Sequence, residues 1–123
     1  MNPNKPFRLS DRVHSFKFAL DGIFIFFRTE HNAWIHLATA LAVVVSGFIL
    51  KVSLPEWCWL IAAIMLVLIT EMINTAIEIL CDMVSKEINP QIKTIKDISA
   101  GAVLIAVIAA VSIGLLIFIP KLF

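Results

Sequence analysis

The chain is poor in charge, in cysteine and in the loops by which soluble enzymes hold nucleotides. Charged residues make up 15% of its 123 positions and the net charge is +1, which gives no ground for expecting a nucleic-acid partner. Two cysteines, Cys58 and Cys81, stand near opposite ends of one apolar run. That separation is too great for a disulfide within the chain, and the pair lacks metal-site spacing, so both read as packing residues. No G-x-x-x-x-G-K-[ST] loop and no protein-kinase signature set is present, which excludes both of those classes. There is no internal repeat. Residues 1–12 hold no apolar core followed by a small-residue cleavage site, so a removable signal peptide is not expected.

What is abundant is apolar surface. Hydrophobic residues reach 60% and the mean hydropathy is +0.96, against about 45–50% apolar residues in a soluble domain. A soluble chain this short could not bury so much. The expected class is an all-α integral membrane protein of one domain, residues 1–123. It divides into a cytoplasmic or interfacial segment (1–32) and transmembrane helices at 33–50, 57–84 and 98–119.

Residues 1–12 are polar and basic, and Ser10 or Asp11 is placed to cap the helix that follows. From Val13 to Arg28 the pattern is amphipathic: His14, Lys17, Asp21 and Arg28 share one stripe and phenylalanines crowd the rest. Such a helix suits the membrane interface. His36, one turn inside the first span, reads as a packing residue outside any site. Lys51 to Glu56 form a tight turn, with Ser53 as cap, Pro55 in the first helical turn, and Trp57 and Trp59 as interface anchors. Ser85 to Thr94 read as a polar loop marked by Asn89-Pro90. The third span carries small residues, among them Ala100, Gly101, Ala102, Ala106 and Gly114, that let helices approach closely.

Basic residues set the orientation. Lys5, Arg8, Arg12, Lys17, Arg28, Lys86, Lys93 and Lys96 fall on one side and only Lys51 and Lys121 on the other. Eight against two places the N-terminus and the 85–94 segment in the cytoplasm, in a multi-pass membrane protein.

The chemistry gathers in the second span. No charged residue occurs from Trp57 to Thr70, and then Glu71, Asn74, Glu78 and Asp82 follow. On a helix the three acids lie within roughly 40° of one another, with Asn74 close beside them. Carboxylates in an apolar layer are costly, which makes them candidates for function. Carboxylates with neutral oxygens suit Mg²⁺, and a lysine can hold phosphate as a point charge. Glu71 lies two turns deeper than Glu78, and desolvation there makes a carboxylate a better proton acceptor. Phosphoryl transfer at the interface fits these residues; so does a proton-coupled transporter.

Glu71-x-x-Asn74-Thr75-Ala76-Ile77-Glu78-x-x-x-Asp82, followed by Lys96-Asp97-x-x-Ala100-Gly101-Ala102-Val103-Leu104, resembles the prokaryotic diacylglycerol kinase family, which includes undecaprenol kinases. Ser15-Phe16-Lys17-Phe18-Ala19-x-x-Gly22 and Glu30-x-Asn32 match it as well, so the resemblance covers about residues 12 to 115.

The resemblance implies a homotrimer with active sites shared between subunits, using ATP and Mg²⁺ to phosphorylate a lipid alcohol. By motif position Glu71 is the general base on the lipid hydroxyl and Asn74 supports the site, while Glu30 and Glu78 hold the metal that bridges the ATP phosphates. Phe18, Glu87, Asn89, Lys96 and Asp97 join Glu30 and Glu78 on the nucleotide side. Ser15, Asn32 and Ala100 join Glu71 around the lipid. Phe18 stands where some members carry Tyr and Asp11 where some carry Arg, with Arg8 and Arg12 nearby. Diacylglycerol is the first acceptor by family name and undecaprenol the alternative, toward which Trp34 and His36 lean. A non-catalytic membrane subunit or transporter of the same fold is the remote alternative.

Overall fold

A computed structural model describes residues 3–123 as four α-helices: α1 (Leu9–Thr29), α2 (His31–Ile49), α3 (Leu54–Val84) and α4 (Pro90–Leu122). Met1 and Asn2 of the basic N-terminal stretch lie outside the described residues. Three of the helices, α2, α3 and α4, are long and apolar enough to cross a membrane. Helix α1 is the fourth, and it begins earlier than its amphipathic pattern suggests. Arg8 is its N-cap, without a side-chain cap bond, and Ser10 and Asp11 fall inside its first turn rather than capping it. Asp11 there complements the helix dipole.

The other boundaries follow from local chemistry. Glu30 is extended and serves as both the C-cap of α1 and the N-cap of α2, so the helix breaks at that acid. Helix α2 ends in a Schellman arrangement: Val52 N–H donates to Gly47 O at 3.1 Å and Lys51 N–H to Phe48 O at 3.4 Å. The residue that turns the chain is Lys51, at φ 54°, a conformation glycine would adopt at lower cost. Ser53 then caps α3, its hydroxyl accepting from Glu56 N–H at 3.4 Å, with Pro55 in the first turn.

The polar segment after α3 is shorter than its composition suggests. Asn89 Oδ1 accepts from Gln91 N–H at 2.9 Å and Pro90 opens the helix, so 90–94 are already helical and only 85–89 form the connection.

Helices α3 and α4 form the best-packed pair, an antiparallel hairpin. Lys121 meets Glu56 at 3.1 Å at one end, and Lys96 meets Asp82 at 2.8 Å at the other. Helix α2 runs antiparallel to α3 and touches it mainly near two points. At one, Gly47 lies under the Trp57 ring, so close that a Cβ would stand 2.5 Å from Cη2. Trp57 is therefore a packing residue, whereas Trp59 is exposed. At the other point, His36 of α2 meets Glu71 of α3. The small core consists of Leu60, Ala63, Val67 and Cys81 on α3 with Ala33, Ala106 and Phe26 from the other helices and Val52 from the α2–α3 turn. Large apolar side chains on every helix remain exposed, as on a surface that faces lipid or other copies of the chain.

Candidate active site

Helix α3 carries the site because its sequence changes character at Thr70. Up to that point its buried face is Leu60, Ala63 and Val67; beyond it the same face continues as Glu71 and Thr75. Glu71 is 7% exposed, a carboxylate held in an apolar wall. It does not stand alone. His36 Nε2 lies 2.8 Å from Glu71 Oε1. Sequence reasoning set His36 aside because a lone histidine at that place is more often a packing or interface residue than a ligand, and nothing in linear spacing joins positions 35 residues apart. The available signal was the one applied to the acids: an ionisable side chain inside an apolar span is itself a candidate for function.

One turn along α3, Asn74 faces Glu78, with Asn74 Nδ2 donating to Glu78 Oε1 at 3.4 Å. Asn74 Oδ1 is buried and has no hydrogen-bond partner among the described residues. A buried orphan oxygen is costly, and beside a carboxylate it offers a hard donor pair of the kind Mg²⁺ takes. Glu30 sits half-buried at the α1–α2 corner. No group of three or more His, Cys, Asp or Glu side chains is gathered for a metal among the described residues.

At the far end of α3, Lys96 Nζ donates to Asp82 Oδ1, and Glu78 is near enough to add to the negative field at Lys96. Lys93 and Asp97 pair along α4. Asp97 is thus held by a lysine the sequence analysis did not single out, and Lys96 by Asp82. Glu87 and Asn89 lie in the connection; Asn89 is occupied in capping α4, and Glu87 N–H donates to Ser85 Oγ at 3.1 Å. Ser15, on α1, donates to Asp11 O at 2.9 Å. Phe18, Asn32 and Ala100 are exposed and, like Ser15, are not brought to Glu71 by contacts within the chain.

An apolar groove of about 480 Å³ runs between α2, α3 and α4, with His36, Thr39, Val67 and Leu115 among its lining. A greasy channel therefore reaches the only helix–helix contact that carries a buried carboxylate among the described residues.

The sequence from residue 17 to 118 matches the model of the family described as prokaryotic diacylglycerol kinase. The chain belongs to the prokaryotic diacylglycerol kinase family. Within the family it is 41% identical over 108 residues to the undecaprenol kinase of Bacillus subtilis, an alignment covering 88% of each protein. It is 37% identical over 109 residues to a diacylglycerol kinase of Synechocystis, covering 88% of this chain and 62% of that one. It is 40% identical over 75 residues to the diacylglycerol kinase of Escherichia coli, covering 61% of each. The family match contains Glu30, Glu71, Asn74, Glu78 and Lys96-Asp97; Ser15 lies just before it.

Proposed function

We propose that the chain is a lipid kinase that transfers the γ-phosphoryl group of ATP to the hydroxyl of a membrane lipid alcohol. The observation that carries the reading is a buried carboxylate, Glu71, set beside an apolar groove and two turns along the same helical face from a second carboxylate, Glu78, in a chain of this family. Phosphoryl transfer asks for positioning and charge neutralisation more than for covalent protein chemistry, and these residues offer both.

Glu71 takes the proton of the lipid hydroxyl as the O–H bond breaks and the new O–P bond forms. ADP leaves with the electrons of the broken P–O bond. The hydrocarbon part of the lipid lies against the apolar surface, while the reacting oxygen reaches Glu71. Glu30 and Glu78 would hold Mg²⁺, and the orphan Asn74 Oδ1 beside Glu78 fits that donor set. When bound, the ion neutralises phosphate charge. Lys96 and the residues after α3 serve the nucleotide, with Asp82 holding the ammonium in place.

In keeping with the family resemblance, we place the complete site between subunits of a homotrimer. The exposed apolar faces of α2 and α4 support association. The basic residues favour a site on the cytoplasmic side of the inner membrane, with α1 as the interfacial helix.

Two acceptors are in view. The undecaprenol kinase aligns over 88% of its own length and the two diacylglycerol kinases over 62% and 61%. That difference favours undecaprenol over diacylglycerol. Purified protein in mixed micelles, supplied with Mg-ATP labelled at the γ-phosphate, should label undecaprenol faster than diacylglycerol. Faster labelling of diacylglycerol would reverse the acceptor, and no labelling of either would return the chain to the transporter reading.

A further inference from the structure

From the His36–Glu71 contact we infer that His36 is a positioning residue for the phosphoryl acceptor reaction: it fixes the Glu71 carboxylate so that one oxygen is left to meet the lipid hydroxyl. The inference rests on the reading of Glu71 as the base.

Three observations support it. First, the bond is short and cross-helical, with His36 Nε2 at 2.8 Å from Glu71 Oε1. An ionised carboxylate only accepts hydrogen bonds, so whenever Glu71 is ready to take a proton, Nε2 carries the hydrogen and donates it. Second, the neighbouring polar residue on the same helix is engaged elsewhere. Asn74, three positions on and on the same helical face, donates to Glu78 instead. Among the described residues His36 is the only side chain that hydrogen-bonds Glu71. Third, both groups are shielded, with side-chain exposures of 21% for His36 and 10% for Glu71. Water therefore competes weakly for the bond.

The consequence is geometric. A glutamate side chain has three rotatable bonds, and in an apolar wall nothing else would choose among its rotamers. With Oε1 tied to α2, turning the carboxylate breaks a hydrogen bond to a charged group, which costs more than a neutral one. Oε2 is then the oxygen left for the lipid hydroxyl, next to the groove that His36 lines. Misplacing a catalytic group by about 1 Å can cost on the order of a hundredfold in rate, so the effect belongs in turnover rather than in binding.

A structural staple between α2 and α3 would use the same contact, so the test must separate the two. His36→Leu fills similar space without a donor, and His36→Gln restores an N–H donor. We expect His36→Leu to lower kcat about tenfold to a hundredfold, with KM for ATP and for the lipid each within about threefold of wild type. His36→Gln should recover most of the loss. In a Glu71→Gln background, His36→Leu should have little further effect, since the two residues act as one unit. A second readout needs no turnover: the side-chain ¹⁵N resonance of His36 in labelled protein, without nucleotide, should move when Glu71 becomes Gln.

Four results would overturn the inference. They are wild-type kcat in His36→Leu, equal losses in the Leu and Gln variants, losses that track thermal inactivation, and an unmoved ¹⁵N resonance. The reading of Glu71 as base fails separately, if Glu71→Gln itself keeps turnover. Should His36→Leu not fold, the resonance shift and the Gln variant still decide the matter.

Discussion

The two halves of α3 are built from one helix and do different work. From Trp57 to Ile69 the buried face is Leu60, Ala63 and Val67, which pack against neighbours and leave no polar atom to satisfy. From Thr70 to Asp82 the buried residues are Glu71, Thr75 and Cys81, with Asn74 and Glu78 half-buried beside them. Here one buried amide oxygen is left unpaired and each carboxylate is held by a different partner: Glu71 by His36, Glu78 by Asn74, Asp82 by Lys96. The first half secures the hairpins. The second keeps polar groups where an apolar protein would gain by having none, and such a cost is accepted at functional sites. If this division is right, stability and turnover should be separable by mutation along a single helix.

The largest effect is expected at Glu71. Glu71→Gln keeps the shape of the side chain and removes its ability to take a proton, and it should lower turnover by three orders of magnitude or so. The opposite failure is expected at the packed end. Gly47→Val would drive a side chain into the Trp57 ring, and overpacking of this kind costs about 1–3 kcal/mol. Thermal inactivation in micelles should come markedly earlier, while turnover per folded molecule at low temperature stays near wild type. Wild-type heat resistance in this variant would show that the ring moves aside freely.

Glu78→Gln should raise the Mg²⁺ concentration for half-maximal rate by about tenfold or more, equivalent to about 1.4 kcal/mol. A Mg²⁺ titration superimposable on wild type would remove Glu78 as a ligand, and the same titration on Glu30→Gln judges its partner. The smallest effect lies in the α2–α3 turn. Lys51 sits at φ 54°, and Lys51→Gly should relieve that strain for a net gain of about 0.5–1 kcal/mol, read as slower thermal inactivation without change in rate. No gain would mean that the lysine's own contacts compensate for its backbone.

Much of this division was legible in the sequence, and the parts that were not share a cause. Charge-free length marked the long apolar helices, and Ser53-Leu54-Pro55 marked the start of α3, because both signals are local. The acidic face of α3 was legible from helical spacing. Asn89-Pro90 was visible but misjudged in extent, since a capping Asn followed by Pro starts a helix as readily as it marks a loop. The pairings His36–Glu71, Lys96–Asp82 and Gly47–Trp57 were invisible, because each depends on how two helices meet rather than on either one.

The central claim is that the polar half of α3 performs phosphoryl transfer. Its most direct test is the rate of labelled γ-phosphate transfer from Mg-ATP to undecaprenol by wild type and by Glu71→Gln, in the same micelles. ATP binding and thermal inactivation are followed alongside. The account predicts active wild type and a variant that binds ATP, resists heat as wild type does, and transfers at less than about one-thousandth of the rate. A Glu71→Gln protein transferring phosphate within tenfold of wild type would contradict it.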